Sequence, residues 1–84
     1  MSYIEFEVGA RIEAVKDFEI EEALARRDKC VHRIQVGDSG EILRKLALGR
    51  HHSVIIRWDK MPQSRLSING EMFVNVKVAA HGNH

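Results

Sequence analysis

The sequence predicts a single small α+β domain over residues 1–84. One mixed or antiparallel sheet would carry two helices on one face, in the order β-α-β-α-β-β-β. Three observations carry that prediction. Apolar residues alternate with polar ones near the N-terminus, recur at helical spacing in two later segments, and return to alternation between and after them. Each apparent helix is flanked by charges or glycine suited to its ends. With 84 residues, one proline and six glycines, the chain suits one core and shows no linker or low-complexity stretch.

Even positions Ile4, Phe6, Val8, Ala10, Ile12 and Ala14 are apolar, whereas Glu5, Glu7, Arg11 and Glu13 are charged. That period of two predicts a half-buried strand over 3–8. The strand continues over 10–15 after a bend at Gly9, or folds back there as a hairpin. DFEIEEALARRDKC then changes spacing, with Ile20, Ala23, Leu24 and Arg27 on one helical face. Glu19, Glu21 and Glu22 open this segment and Arg26, Arg27 and Lys29 close it, which suits a helix dipole at both ends. Glu22 and Arg26 add an i,i+4 pair, and a helix is predicted over 18–28.

CVHRIQV alternates again and predicts a strand over 30–36, with Cys30, His32, Ile34 and Val36 on one face. GDSGEILRKLALG predicts the second helix. Asp38 and Glu41 have capping-box spacing and Gly49 suits the left-handed position after the last turn. Ile42, Leu43, Leu46 and Ala47 would form the buried stripe, with Arg44 and Lys45 outside. SVIIRW predicts a central strand over 53–58 with Trp58 in the core, and Pro62 bars a strand through DKMPQS. RLSINGEMFVNVKVAA predicts a hairpin at Asn69-Gly70. Its apolar faces coincide when a three-residue loop, with Gly70 left-handed, pairs Ile68 with Met72 and Leu66 with Val74. The final strand, 72–80, would pair with a second copy of the chain if it lies at a sheet edge. Residues 81–84 read as a loose tail.

The net charge of +1 conceals an asymmetry. Residues 1–25 hold seven acids against two bases, and residues 26–65 hold ten bases against four acids. Such lobes can meet within the fold, between copies, or on outside partners. One cysteine, Cys30, permits no intrachain disulfide, and the acidic N-terminus lacks signal-peptide character. A cytoplasmic protein without a membrane span is therefore expected.

Chemistry is sparse. Cys30, His32, His51, His52, His81 and His84 are metal-ligand types, but no Cys-x₂-Cys pair or four-ligand pattern gathers them, so no metal is expected. GDSGE lacks the glycines and Lys-Ser/Thr of a phosphate loop, and no cofactor is expected. Adjacent histidines near Arg50 have the residue types of a small ribonuclease, yet neighbours in an extended chain point apart. Basic residues Arg44, Lys45, Arg50, His51 and Arg57 form a candidate nucleic-acid surface, without helix-turn-helix spacing or an aromatic-rich RNA-binding strand.

The expectation that remains is a non-enzymatic protein-interaction module, a regulator, adaptor or inhibitor of the kind phages and mobile elements carry, working as a homodimer. Glu5, Glu7, Glu13, Glu19, Glu21 and Glu22 would meet a basic partner, or Arg44, Lys45, Arg50, His51, Arg57 and Arg65 an acidic one. Nucleic-acid binding through the patch from Arg44 to Arg57 is the alternative, and a histidine-dependent ribonuclease the second alternative.

Overall fold

The computed structural model describes residues 3–23 and 28–80. Seven strands follow one another: β1 (Arg11–Ala14), β2 (Phe18–Ala23), β3 (Lys29–Ile34), β4 (Ser39–Leu48), β5 (His51–Trp58), β6 (Leu66–Asn69) and β7 (Val76–Ala80). Short 3₁₀ turns occupy Tyr3–Glu5 and Phe73–Asn75. The described residues contain no α-helix, so the expected α+β fold is corrected to a small antiparallel β domain. Five strands form one sheet in the order β6-β5-β4-β1-β7, and β2 and β3 form a separate hairpin. The expected end of the first helix, with Arg26 and Arg27, and the tail at His81 and His84 lie outside the described residues.

The first expected helix is a strand because its apolar residues also satisfy a period of two. Phe18 and Ile20 share the inward face of β2, while Glu19, Glu21 and Ala23 are exposed. Pairing with β3 runs in register from Phe18↔Ile34 to Ala23↔Lys29. Charges that resemble helix-dipole compensation here meet partners across the hairpin: Lys29 Nζ lies 4.0 Å from Glu21, and His32 Nε2 lies 3.0 Å from Glu22 Oε1. Tertiary pairing has overridden the helix preference of Glu and Ala.

The second expected helix is β4, and a bulge explains the misreading. β4 and β5 pair from Gly40↔Trp58 to Leu48↔His51, with Leu43 as an extra residue between Ile42↔Ile56 and Arg44↔Ile55. An extra residue inverts the side-chain alternation. Before the bulge Gly40 and Ile42 face the core. Beyond it Lys45 stands opposite buried Val54 and Ala47 opposite His52, so Arg44, Leu46 and Leu48 turn to the outer face. Apolar residues at 42, 43, 46 and 47 thereby copy a helical stripe, although only Ile42 is buried. Asp38 is a turn residue, not a helix cap: Gln35 N–H donates to its Oδ2 at 2.8 Å, and Gly37 takes φ +94°. Gly49 does adopt positive φ, +61°, but in the two-residue Gly49–Arg50 turn of a hairpin.

Two further expectations change. Residues 3–8 are not a strand. Tyr3–Glu5 is a 3₁₀ turn, Phe6 is buried, Val8 is exposed, and Gly9 at φ +90° breaks the alternation before β1 begins at Arg11. The hairpin expected at Asn69-Gly70 is absent. β6 pairs with β5 through Val54↔Ile68 and Ile56↔Leu66, and Gly70 has no positive φ. The chain turns at Met72, whose N–H donates to Asn69 O at 2.8 Å, and crosses to the opposite edge. There β7 pairs with β1, Val76 facing Ala14 and Val78 facing Ile12. The crossover buries Phe73 beside Phe6, their rings 4.8 Å apart at 58°, which a tight hairpin would leave at the surface. β3 and β5 stand close to their predicted ranges.

One core results. Ile12, Ala14, Ile42, Val54, Ile56, Trp58, Leu66, Ile68 and Val76 line the sheet's inner face, and Ile20 and Ile34 of the hairpin pack on it. Trp58 is fully buried, as expected, with Phe18 edge-on at 6.2 Å. Opposite charges face each other on the outer surface, Glu41 with Arg57 at 2.6 Å and Glu13 with Lys77 at 3.5 Å. Arg11 grips both Asp59 oxygens.

Candidate binding site at the end of the β4–β5 hairpin

The acidic residues picked out in the sequence do not form one surface. Glu5 and Glu7 lie at and after the first 3₁₀ turn, and Glu13 lies on the outer face of β1. Glu19 and Glu21 lie on the hairpin face turned away from the core, on the opposite side of the molecule from Glu13. Glu22 is held by His32. The acidic lobe of the sequence is thus divided among three regions and partly matched by cations.

The basic residues behave differently. Arg50 and His51 meet at the Gly49–Arg50 turn, Lys45 faces the inner side opposite Val54, and Arg44 stands on the outer face beside Ile55, four residues along β5 from His51. No acid occurs from Ile42 to Trp58. Arg57 is six residues away along β5, about 20 Å at strand rise, and is engaged by Glu41. Arg65 precedes β6 towards that same far end, since Leu66 pairs with Ile56.

The hairpin end has two unlike faces. Register places Arg44 beside Ile55, Leu46 beside Ser53, and Leu48 beside His51 on the outer face. Leu46 and Ile55 are half-buried, while Leu48 is 76% exposed. On the inner side Lys45 Nζ stands 4.4 Å from the centre of the Tyr3 ring, and the Tyr3 ring stacks on His52 at 4.4 Å and 18°. Adjacent His51 and His52 therefore take opposite faces of β5, as alternation requires.

A groove of about 520 Å³ opens beside this stack. Arg50, His51, His52 and Ser53 form one wall. Tyr3 and Phe73 form the apolar part, and the turn from Asn69 to Glu71 closes the other side. Donors dominate it, with Glu71 its one carboxylate. Tyr3, Asn69, Gly70, Glu71 and Phe73 were not legible as site residues, because 49 positions separate Tyr3 from its stacking partner His52 and no local pattern joins them.

Carboxylate environments elsewhere are set by direct contacts. The Arg11 guanidinium holds the Asp59 carboxyl below its ordinary range, against opposing desolvation, and Arg11 is itself raised by that hydrogen bond. Desolvation pushes Asp38 upward, but Lys60 Nζ at 2.5 Å and the Gln35 N–H outweigh it, so Asp38 also lies low. Among the described residues no group of three or more His, Cys, Asp and Glu is placed to hold a metal, and Cys30 is a free thiol. No helix among them is long and apolar enough to cross a membrane. Comparison with known families, curated proteins and solved structures finds no match to the chain.

Proposed function

We propose that this protein is a small non-enzymatic interaction module, a regulator, adaptor or inhibitor, that engages an acidic protein segment through the outer face of the β4–β5 hairpin end. One observation carries the reading: Leu48 stands exposed on a hairpin whose own end carries no acid, beside His51 and two residues from Arg50. An exposed leucine beside an imidazole and an arginine suits a partner offering both apolar contact and negative charge. The test is affinity capture from host extract by the wild type and by Leu48→Asp and Arg50→Glu. A protein retained by the wild type and lost with both folded variants supports the reading, and an unchanged captured set refutes it.

The nucleic-acid reading, through the patch from Arg44 to Arg57, is favoured by Lys45 and His52 packing on the Tyr3 ring, with Arg50 lining the groove beside it. Duplex affinity measured against salt separates it from the first, since several phosphate contacts weaken steeply as salt rises. The ribonuclease reading ranks below both, because His51 and His52 diverge across β5 and Tyr3 occupies one face of His52.

A homodimer through β7 belongs to the same proposal. Among the described residues β7 lies at the sheet edge, with β1 as its one strand neighbour. Antiparallel pairing of two β7 strands about Val78 places Lys77 opposite Ala79 of the second copy and avoids facing lysines. A free Cys30 accords with a reducing, cytoplasmic setting.

A further inference from the structure

From the groove beside the Tyr3–His52 stack we infer a second binding site, for a nucleoside phosphate. It shares Arg50 and His51 with the surface proposed for a protein partner, and it rests on the nucleic-acid reading, which it deepens to a single nucleotide unit. Its volume, about 520 Å³, lies within the range of small-ligand sites. Arg50 and His52 stand on one wall, and a guanidinium and an imidazole are donors matched to phosphate oxygens; His51 and Ser53 line the same wall at alternate positions of β5. Tyr3 covers one face of the His52 ring, and His52 remains exposed, so a heterocyclic base can extend the stack that Tyr3 and His52 begin. Lys45 against Tyr3 adds positive charge without entering the groove wall.

Glu71 narrows the ligand class further. A bare anion gains nothing from a carboxylate across the groove and is repelled by it. A ligand with phosphate at one end and hydroxyl or amino donors at the other satisfies both walls. A nucleoside phosphate has that polarity, together with a planar base. The unit can arrive as a free mononucleotide or as part of a single strand.

The test is a nuclear magnetic resonance titration of the ¹⁵N-labelled full chain at fixed ionic strength. The probes are adenosine monophosphate, adenosine, inorganic phosphate and a single-stranded oligoadenylate. Adenosine monophosphate is expected to shift the amides of Arg50 to Ser53 and Gly70 to Glu71 saturably. It should bind at least about tenfold more tightly than adenosine or phosphate alone, the factor expected for one charge-assisted contact. Arg50→Gln, in the exposed turn, and His52→Leu should each weaken it about tenfold, while Lys16→Gln, exposed in the turn after β1, should not. If His52→Leu fails to fold, Arg50→Gln alone carries the mutational arm. Tighter binding of the oligoadenylate assigns the unit to a single strand, and equal binding assigns it to the free nucleotide. Phosphate binding as tightly as the nucleotide, adenosine doing so, or no saturable shift by about 10 mM would each overturn the inference.

Discussion

Replacing Gly40 by alanine probes the closest approach in the sheet. Gly40 sits on β4 opposite Trp58, with ordinary backbone angles, so its role is spatial. A Cβ there would lie 2.8 Å from the Arg57 carbonyl oxygen, 2.9 Å from Ile56 Cγ2 and 3.1 Å from Trp58 Cα. Two of those atoms are backbone and cannot swing aside, so β4 and β5 must separate or Ile56 must leave its rotamer. Overpacking of this kind costs about 1–3 kcal/mol. Alanine lowers the entropy of the unfolded chain and returns about 0.4–1 kcal/mol. The expected net loss is about 1–2 kcal/mol, and in a domain of this size each kcal/mol lowers the melting temperature by about 4–8 °C. Urea unfolding followed by the fluorescence of Trp58, which the same contact displaces, reads both the stability change and the altered packing. Gly40→Ala as stable as the wild type would refute the close β4–β5 approach on which the hairpin geometry rests.

Other tests reach different parts of the molecule. Leu48→Asp and Arg50→Glu should change stability by no more than about 0.5 kcal/mol in urea unfolding, because both residues are exposed, while abolishing partner capture. Acid should destabilise the fold through Asp59 and Asp38. Their folded pKa values are depressed, so the stabilisation is complete above the unfolded carboxylate value, near 4, and is lost as pH falls through the lower folded values. Urea midpoints measured from pH 7 downward should show this fall, flattened in Asp38→Asn/Asp59→Asn; an equally steep fall in that variant counts against these two groups. Sedimentation velocity should show a concentration-dependent dimer that Ala79→Lys weakens, since the new lysine would face Lys77 of the second copy. An unchanged dimer would exclude the β7 pairing.

Much of the burial was legible without coordinates. Alternation or a continuous apolar run marks Ile12, Ala14, Ile34, Val54, Ile56 and Trp58, and all six stand in the core. The strands at β3 and β5 and the divergence of His51 and His52 followed from the same period, whereas Gly49 was expected to end a helix and instead turns a hairpin. The basic run of Arg44, Lys45, Arg50 and His51 was legible as composition, but not its division between the two faces of the hairpin. That division depends on the β4–β5 register and its bulge. Arg57 looked equivalent in sequence, yet it sits at the far end and is neutralised by Glu41.

The chain's own sequence determined its size, its charge lobes, its single free thiol and the inward residues of its regular strands, since these follow from composition and two-residue alternation alone. The tertiary structure decided that residues 18–23 and 39–48 are strands rather than helices. Short amphipathic segments satisfy either period, and the choice rests on hydrogen-bonding partners elsewhere in the chain. It also decided, through one extra residue at Leu43, which side chains of β4 look outward. And it brought Tyr3 onto His52, a contact made by an N-terminal turn packing across the sheet and written in no local pattern.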